Sequence, residues 1–321
     1  MKGRPVIPLV LAALLCCCDD TPPPPPATAA AEPRPTALVE SPAFSGDNAY
    51  VHCAAICSRG PRYSGSPAYA AQLDYLEQQL HAAGWQTFRD SFSAPNGTPM
   101  VNLRATFGTG QHTRPVLVSS HIDTKVNIAK DFVSADDGPS GAAVMLESAR
   151  LLAQSPATAE QVELIFLDGE ESFARRMTEE DGLYGSKYDV RRRAGKLPRY
   201  QVNLDMVGGR NNIIAIPAVD TSQHMFSLYQ AVIRELGLSF DQWTAYPGSY
   251  MDDHQPYLDA GVDSLNLIAL FGQGDWWHTP KDNMDRISPR KLGESGRVLM
   301  ALLSRLTQVM QGTTPQSGVP L

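Results

Sequence analysis

The sequence predicts an α/β protein: one globular domain with a central mixed, mostly parallel sheet flanked by helices. Three observations carry this. Residues 162–167 form a nearly continuous apolar run, the composition of a strand covered on both faces, and 262–269 reads as another buried strand. They alternate along the chain with segments of helical periodicity, such as 140–152 and 221–236. Acidic residues and histidines gather at the ends of the apolar runs, where strand gives way to loop and where an open α/β sheet assembles its site.

Taken in order, the globular pattern begins near residue 44. Residues 68–83 carry apolar positions at helical spacing behind Ser66-Pro67, a good helix start. Residues 100–107 alternate as a strand does, and 115–120 is a short apolar run. An Ala-rich helix is expected over 140–152, a fully covered strand over 162–167, and further strands over 200–206 and 212–216. The amphipathic helix at 221–236, the buried strand at 262–269 and a closing helix at 289–309 complete the domain, expected to span 40–312 with a loose tail at 313–321.

Residues 1–18 read as an export signal: Lys2 and Arg4 precede an apolar stretch too short to span a bilayer. Cys16, Cys17 and Cys18 end it, so the signal is either of the lipoprotein kind, with lipid on Cys18, or a plain export signal. Residues 19–39, with prolines from Pro22 to Pro26, form a Pro/Ala-rich tether. The expected location is therefore the periplasm or cell envelope. Only Cys53 and Cys57 remain in the body; they share one helical face, which an oxidising compartment would allow to bridge and which equally fits two half-buried thiols. With 27 basic and 34 acidic residues, a net charge of −7 and no basic stripe, the chain is not a nucleic-acid binder.

The acids and histidines fall in ordered groups: His121-Ile122-Asp123, Ala135-Asp136-Asp137-Gly138, Asp168-Gly169-Glu170-Glu171, Asn203-Leu204-Asp205, Asp252-Asp253-His254 and Trp277-His278-Thr279. A catalytic zinc takes nitrogen and carboxylate oxygen ligands and keeps one position open. Asp137, Glu171 and His278 are the three candidate ligands, Asp137 standing just before Gly138-Pro139-Ser140-Gly141, where the backbone turns into a helix. Alone, each has a plainer role as a cap, a solvated acid or a surface imidazole; their ordered occurrence together favours a metal centre. The adjacent Glu170 suits proton transfer, its pKa raised by burial and neighbouring carboxylates and lowered by a metal.

Residues 115–290 resemble the zinc-dependent aminopeptidase superfamily and, within it, the animal-type glutaminyl cyclases (glutaminyl-peptide cyclotransferases). The resemblance rests on His121-Ile122-Asp123-Thr124-Lys125, Ala135-Asp136-Asp137, the run from Phe166 to Phe173, Gly182-Leu183-Tyr184-Gly185-Ser186-Lys187, Asn203-Leu204-Asp205, the run from Asp252 to Pro256, and Trp277-His278-Thr279 with Asp282-Asn283. It implies a zinc aminopeptidase-like fold, one zinc per chain on Asp137, Glu171 and His278, and proton transfer by Glu170. It also implies that Asp205 and Asp252 hydrogen-bond with Glu170 and that Trp277 lines a substrate pocket. The implied substrate is a peptide or protein with N-terminal glutamine, and the fold implies a monomer. The alternative is a dinuclear zinc aminopeptidase, with Asp137 bridging two ions and His121 and Asp205 completing the second site. Two positions depart from the cyclases. Asn266 stands where they carry a second pocket histidine, and Arg175-Arg176-Met177 offers no aromatic where a pocket tryptophan is expected. Phe271 is the candidate aromatic wall.

Overall fold

The computed structural model describes residues 44–109, 114–270 and 275–311. Along the chain run α1 (Gly46–Cys57), α2 (Pro67–Ala82), β1 (Trp85–Ser93), β2 (Pro99–Phe107), β3 (Val116–His121), α3 (Pro139–Leu152), α4 (Pro156–Ala159) and β4 (Val162–Leu167). Then follow α5 (Tyr184–Arg193), β5 (Tyr200–Asp205), β6 (Ile214–Pro217), α6 (Gln223–Glu235), β7 (Trp243–Tyr246), α7 (Gln255–Asp259), β8 (Asp263–Ala269) and α8 (Pro289–Gln311).

One eight-stranded mixed sheet organises the molecule, in the order β1-β2-β4-β3-β5-β8-β6-β7. Its centre is parallel: β4 pairs β3, β3 pairs β5 and β5 pairs β8, with His121 opposite Leu167 and Asp205 opposite Ile268. Every residue of β3, β4 and β5 is buried, as strands covered on both faces must be. Antiparallel pairings join β1 and β2 at one side, and β6 to β8 at the other. The described residues belong to one compact unit, Ser41–Leu321.

Helix α3 is the element that brings chemistry to the sheet. Its N-cap is Gly138 at φ +96°, a backbone state that favours glycine, and Pro139 opens the first turn. At Gly141 a Cβ would stand 2.2 Å from Ser120 Oγ and 2.6 Å from the Leu204 carbonyl oxygen, so the helix lies directly against β3 and β5. Helix α2 starts on Ser66, whose hydroxyl accepts from the Tyr69 N–H, as the Ser66-Pro67 signal predicts.

Several elements fall outside the sequence-based expectations. Strand β1 pairs β2 over nine residues yet buries only Trp85, so it carries no two-residue apolar alternation. Helix α5 has no apolar stripe; the buried Asp189 binds Arg193 at 2.5 Å and Arg192 at 2.6 Å, and Arg193 reaches Glu163 at 2.7 Å. Strand β7 has four residues at the sheet edge, too few for a period to register. Cys53 and Cys57 are free, buried thiols on α1, and the Cys53 thiol donates to the Ala135 carbonyl at 3.4 Å.

Candidate active site

The loops that follow the central parallel strands converge at one edge of the sheet. His121 ends β3, Glu170 and Glu171 follow β4, and Asp205 ends β5. The turn into α3 brings Asp137, Asp252 precedes α7, and the segment after β8 brings His278. The structure places Asp137, Glu171 and His278 so that one ligand atom from each lies within 4.8 Å of the others. His278 Nε2 stands 3.1 Å from Glu171 Oε1 and 3.4 Å from Asp137 Oδ2. A second group, His121, Asp137 and Asp205, meets the same 4.8 Å criterion, with Asp137 common to both. His121 Nε2 is 3.0 Å from Asp137 Oδ1 and 3.2 Å from Asp205 Oδ1.

Two buried acids fix the ligand-bearing backbone. Asp282 accepts from the N–H groups of Asp136 (2.8 Å) and Asp137 (3.2 Å). Asp123 accepts from those of Glu170 (3.1 Å) and Glu171 (3.2 Å). Each carboxylate thus satisfies two buried donors that would otherwise be stranded and sets the direction of the side chain beside them. Asp136, next to Asp137, is turned away from the cluster: it accepts from Gly208 N at 2.8 Å, from Asn212 Nδ2 at 2.7 Å and from Arg286 Nε at 3.3 Å. Lys125 is buried, donates to the Ser172 carbonyl at 2.7 Å and stands 3.4 Å from Glu171 Oε2. His278 itself sits at φ +53°, a conformation costly for a side-chain-bearing residue and typical of functional positions.

The cluster is short of positive charge. Burial raises the Asp137 carboxyl, but hydrogen bonds from His121 and His278 outweigh it and hold the group below its usual range. Burial lowers the His278 imidazole, and its bonds to Asp137 and Glu171 more than reverse that, lifting it to about 10. Burial pushes Glu170 well above the carboxylate range; His121 opposes the rise, while Glu171, Asp252 and Asp253 add to it. Burial and the Asp137 charge also raise Glu171. Asp137 Oδ2 is fully buried, and His278 Nε2 at 3.4 Å leaves it poorly satisfied. An anionic pocket with a poorly satisfied oxygen and converging N and O donors is suited to a divalent cation.

The remaining candidate residues take distinct places. Among the described residues, the Glu170 carboxylate makes no hydrogen bond, so the direct network with Asp205 and Asp252 differs from the one implied. Asp252 Oδ2 instead accepts from Asn266 at 2.7 Å and Asn203 at 3.1 Å, and its Oδ1 accepts from Asp253 N at 2.5 Å. Asn266 is fully buried on β8, fixing Asp252 from beneath. Asp205 is occupied with His121. The Trp277 ring is 39% exposed and stacks on His278 with centroids 4.0 Å apart. Phe271 lies outside the described residues. A cavity of about 340 Å³ lined by Trp276, Lys281 and Arg286 adjoins this loop, but its cations are already paired, Arg286 with Asp136 and Lys281 with Asp275. The family resemblance places Asp123 behind the ligands, but spacing gives no role to Asp282 or Lys125, because a side chain that serves backbone groups has no fixed partner in the sequence.

The chain is similar to known proteins in sequence and fold. The sequence profile described as "Peptidase family M28" matches residues 102–303. The glutaminyl-peptide cyclotransferase of Bothrops jararaca is 29% identical over 286 residues, covering 75% of this chain and 76% of that protein. The crystal structure of Porphyromonas gingivalis glutaminyl cyclase superposes with a TM-score of 0.74 at 28% identity, covering 82% of this chain and 98% of the other. A Zn-dependent exopeptidase from Parabacteroides distasonis superposes at 0.73 and 25% identity, covering 82% and 99% of the two chains.

Proposed function

The chain belongs to peptidase family M28, and from that premise we propose that it is a zinc-dependent glutaminyl-peptide cyclotransferase. It converts the N-terminal glutamine of a peptide or protein to pyroglutamate with release of ammonia. One juxtaposition supports this above all: Asp137, Glu171 and His278 meet within 4.8 Å, and Glu170 stands beside them with no hydrogen bond on its carboxylate among the described residues. Tetrahedral zinc with bonds of about 2.0–2.2 Å spaces its ligand atoms about 3.3–3.6 Å apart. The 3.4 Å from His278 Nε2 to Asp137 Oδ2 falls in that range and the 3.1 Å to Glu171 Oε1 lies just below it, so the three groups are close enough to share one ion.

The chain's own residues then supply the rest. When bound, zinc polarises the side-chain amide of the substrate glutamine as a Lewis acid. Glu170 takes a proton from the substrate's α-amine as that nitrogen bonds to the side-chain carbonyl carbon. It returns the proton to the departing nitrogen, which leaves as ammonia when its bond to that carbon breaks. Burial holds the Glu170 carboxyl above the ordinary carboxylate range, in the direction that a group which must both take and give a proton requires. Asp252, held on one oxygen by Asn203 and Asn266, steadies the tetrahedral intermediate or its amine. Trp277, stacked on His278, gives the glutamine methylenes an apolar wall and keeps the chain curled toward its own amine. Both reacting groups belong to one residue, so no water nucleophile is required.

The second reading, a dinuclear aminopeptidase, is favoured by the His121, Asp137 and Asp205 group. A single assay separates the two. With Gln-Ala and Leu-Ala offered in parallel, the cyclotransferase releases ammonia from Gln-Ala and leaves Leu-Ala intact, whereas free leucine marks the peptidase. Export to the periplasm or cell envelope, lipid-anchored at Cys18 or not, belongs to the same proposal and is supported by the sequence alone. Among the described residues no helix is long and apolar enough to cross a membrane.

A further inference from the structure

The chain leaves Glu171, makes a short excursion and returns to the same point. The Leu183 N–H donates to the Glu170 carbonyl at 2.9 Å, and the Tyr184 N–H to that of Gly169 at 2.8 Å. Inside this loop Asp181 accepts from Phe173 N and Ala174 N, both at 2.8 Å, and from the Tyr184 hydroxyl at 2.9 Å. The Lys125 ammonium holds the Ser172 carbonyl at 2.7 Å. The backbone up to Ala174 is therefore pinned beside the site, and Arg175 and Arg176 follow it directly in the chain. Both are exposed, and among the described residues neither makes a hydrogen bond or an ion pair. By contrast Arg89, Arg104, Arg150, Arg192, Arg193 and Arg286 are paired with Glu77, Asp90, Glu147, Asp189 or Asp136. Glu179 and Glu180 lie further along the same loop and do not pair with the two guanidiniums.

We propose that Arg175 and Arg176 make this site prefer substrates with acidic side chains in the first residues after the N-terminal glutamine. This rests on the cyclotransferase reading above. The floor of the site is acidic, with Asp123, Asp137, Glu170, Glu171, Asp205, Asp252 and Asp253 all buried there. Such a field attracts the substrate's ammonium and repels carboxylates that follow it. Two exposed guanidiniums just beyond the pinned segment would reverse the second effect, and their forked donors match a carboxylate. Exposed ion pairs of this kind change an equilibrium about two- to fivefold each and weaken with salt.

The test measures kcat/KM for Gln-Glu-Ala-Ala-amide, Gln-Ala-Glu-Ala-amide, Gln-Ala-Ala-Ala-amide and Gln-Lys-Ala-Ala-amide at low and at high sodium chloride. The expected result is at least one acidic peptide turned over about three- to tenfold faster than the lysine peptide at low salt, with the ratio shrinking at high salt. In Arg175→Ala/Arg176→Ala the ratio falls toward one, and in Arg175→Glu/Arg176→Glu it inverts. A ratio does not depend on how much protein folds. Equal turnover of acidic and lysine peptides by the unaltered protein overturns the inference, as does a preference that survives charge reversal. Absence of ammonia from all four peptides instead overturns the cyclotransferase reading.

Discussion

Asp123 and Asp282 perform one task at two places: each gathers two backbone N–H groups so that the acid beside them points at the metal position. Replacing Asp123 by Ala strands two buried donors at about 1–3 kcal/mol each. It should loosen zinc about 10- to 100-fold in a chelator-competition titration, and Asp123→Asn, which keeps one acceptor, should lose less. Glu170 differs in kind, since it contributes chemistry rather than position. Glu170→Gln should lower turnover about 10²- to 10⁴-fold and leave the zinc content unchanged; turnover near the original would remove Glu170 from its assigned role. Asp137, Glu171 and His278 were legible in the sequence because they recur in order at strand ends. The clamping role of Asp282 was not, since its partners are peptide groups that every residue carries. Nor was the burial of Asn266 under Asp252, which depends on β5 and β8 being neighbours.

Element by element, the parallel centre of the sheet could be read directly from composition and the edges could not. Strands β3, β4 and β5 bury both faces, and β4 shows it in the sequence as a nearly continuous apolar run, whereas β1 and α5 are stabilised by pairing and ion pairs that leave no apolar period. Where helix α3 meets the sheet, Gly141 leaves no room: Gly141→Ala forces its methyl against Ser120 Oγ and the Leu204 carbonyl. Overpacking of this kind costs about 1–3 kcal/mol, lowering Tm by about 2–4 °C for each kcal/mol in a domain of this size. Unchanged melting would contradict the close packing. The β4–loop junction carries a titrating acid. Burial, with the Asp123 charge, lifts Asp168 to about 8, although Ser64 and the Val101 N–H bond it. The folded protein therefore holds a proton there that the unfolded chain, titrating near its ordinary value, releases. Stability from this group falls as pH rises from about 4 through about 8. Thermal melts of Asp168→Asn should show a flatter pH dependence than the unaltered protein between about pH 6 and 9, and parallel curves would count against the buried proton.

For the whole molecule, the net charge of −7 conceals a division of labour. Negative charge is concentrated at the buried end of the strands, while the loop that starts at Glu171 carries two free arginines to the surface. The fold class, a mixed and mostly parallel sheet with flanking helices, was legible in the chain. The number of metal ions was not, since Asp137 is shared by two groups of equally close donors. Zinc titration of the metal-stripped protein, followed by pyroglutamyl-peptide formation from Gln-Ala, tests this most directly. Turnover should rise linearly to one equivalent of zinc per chain and then stay level. A requirement for a second equivalent, or no pyroglutamyl product at any zinc level, would contradict a single-zinc cyclisation at Asp137, Glu171 and His278.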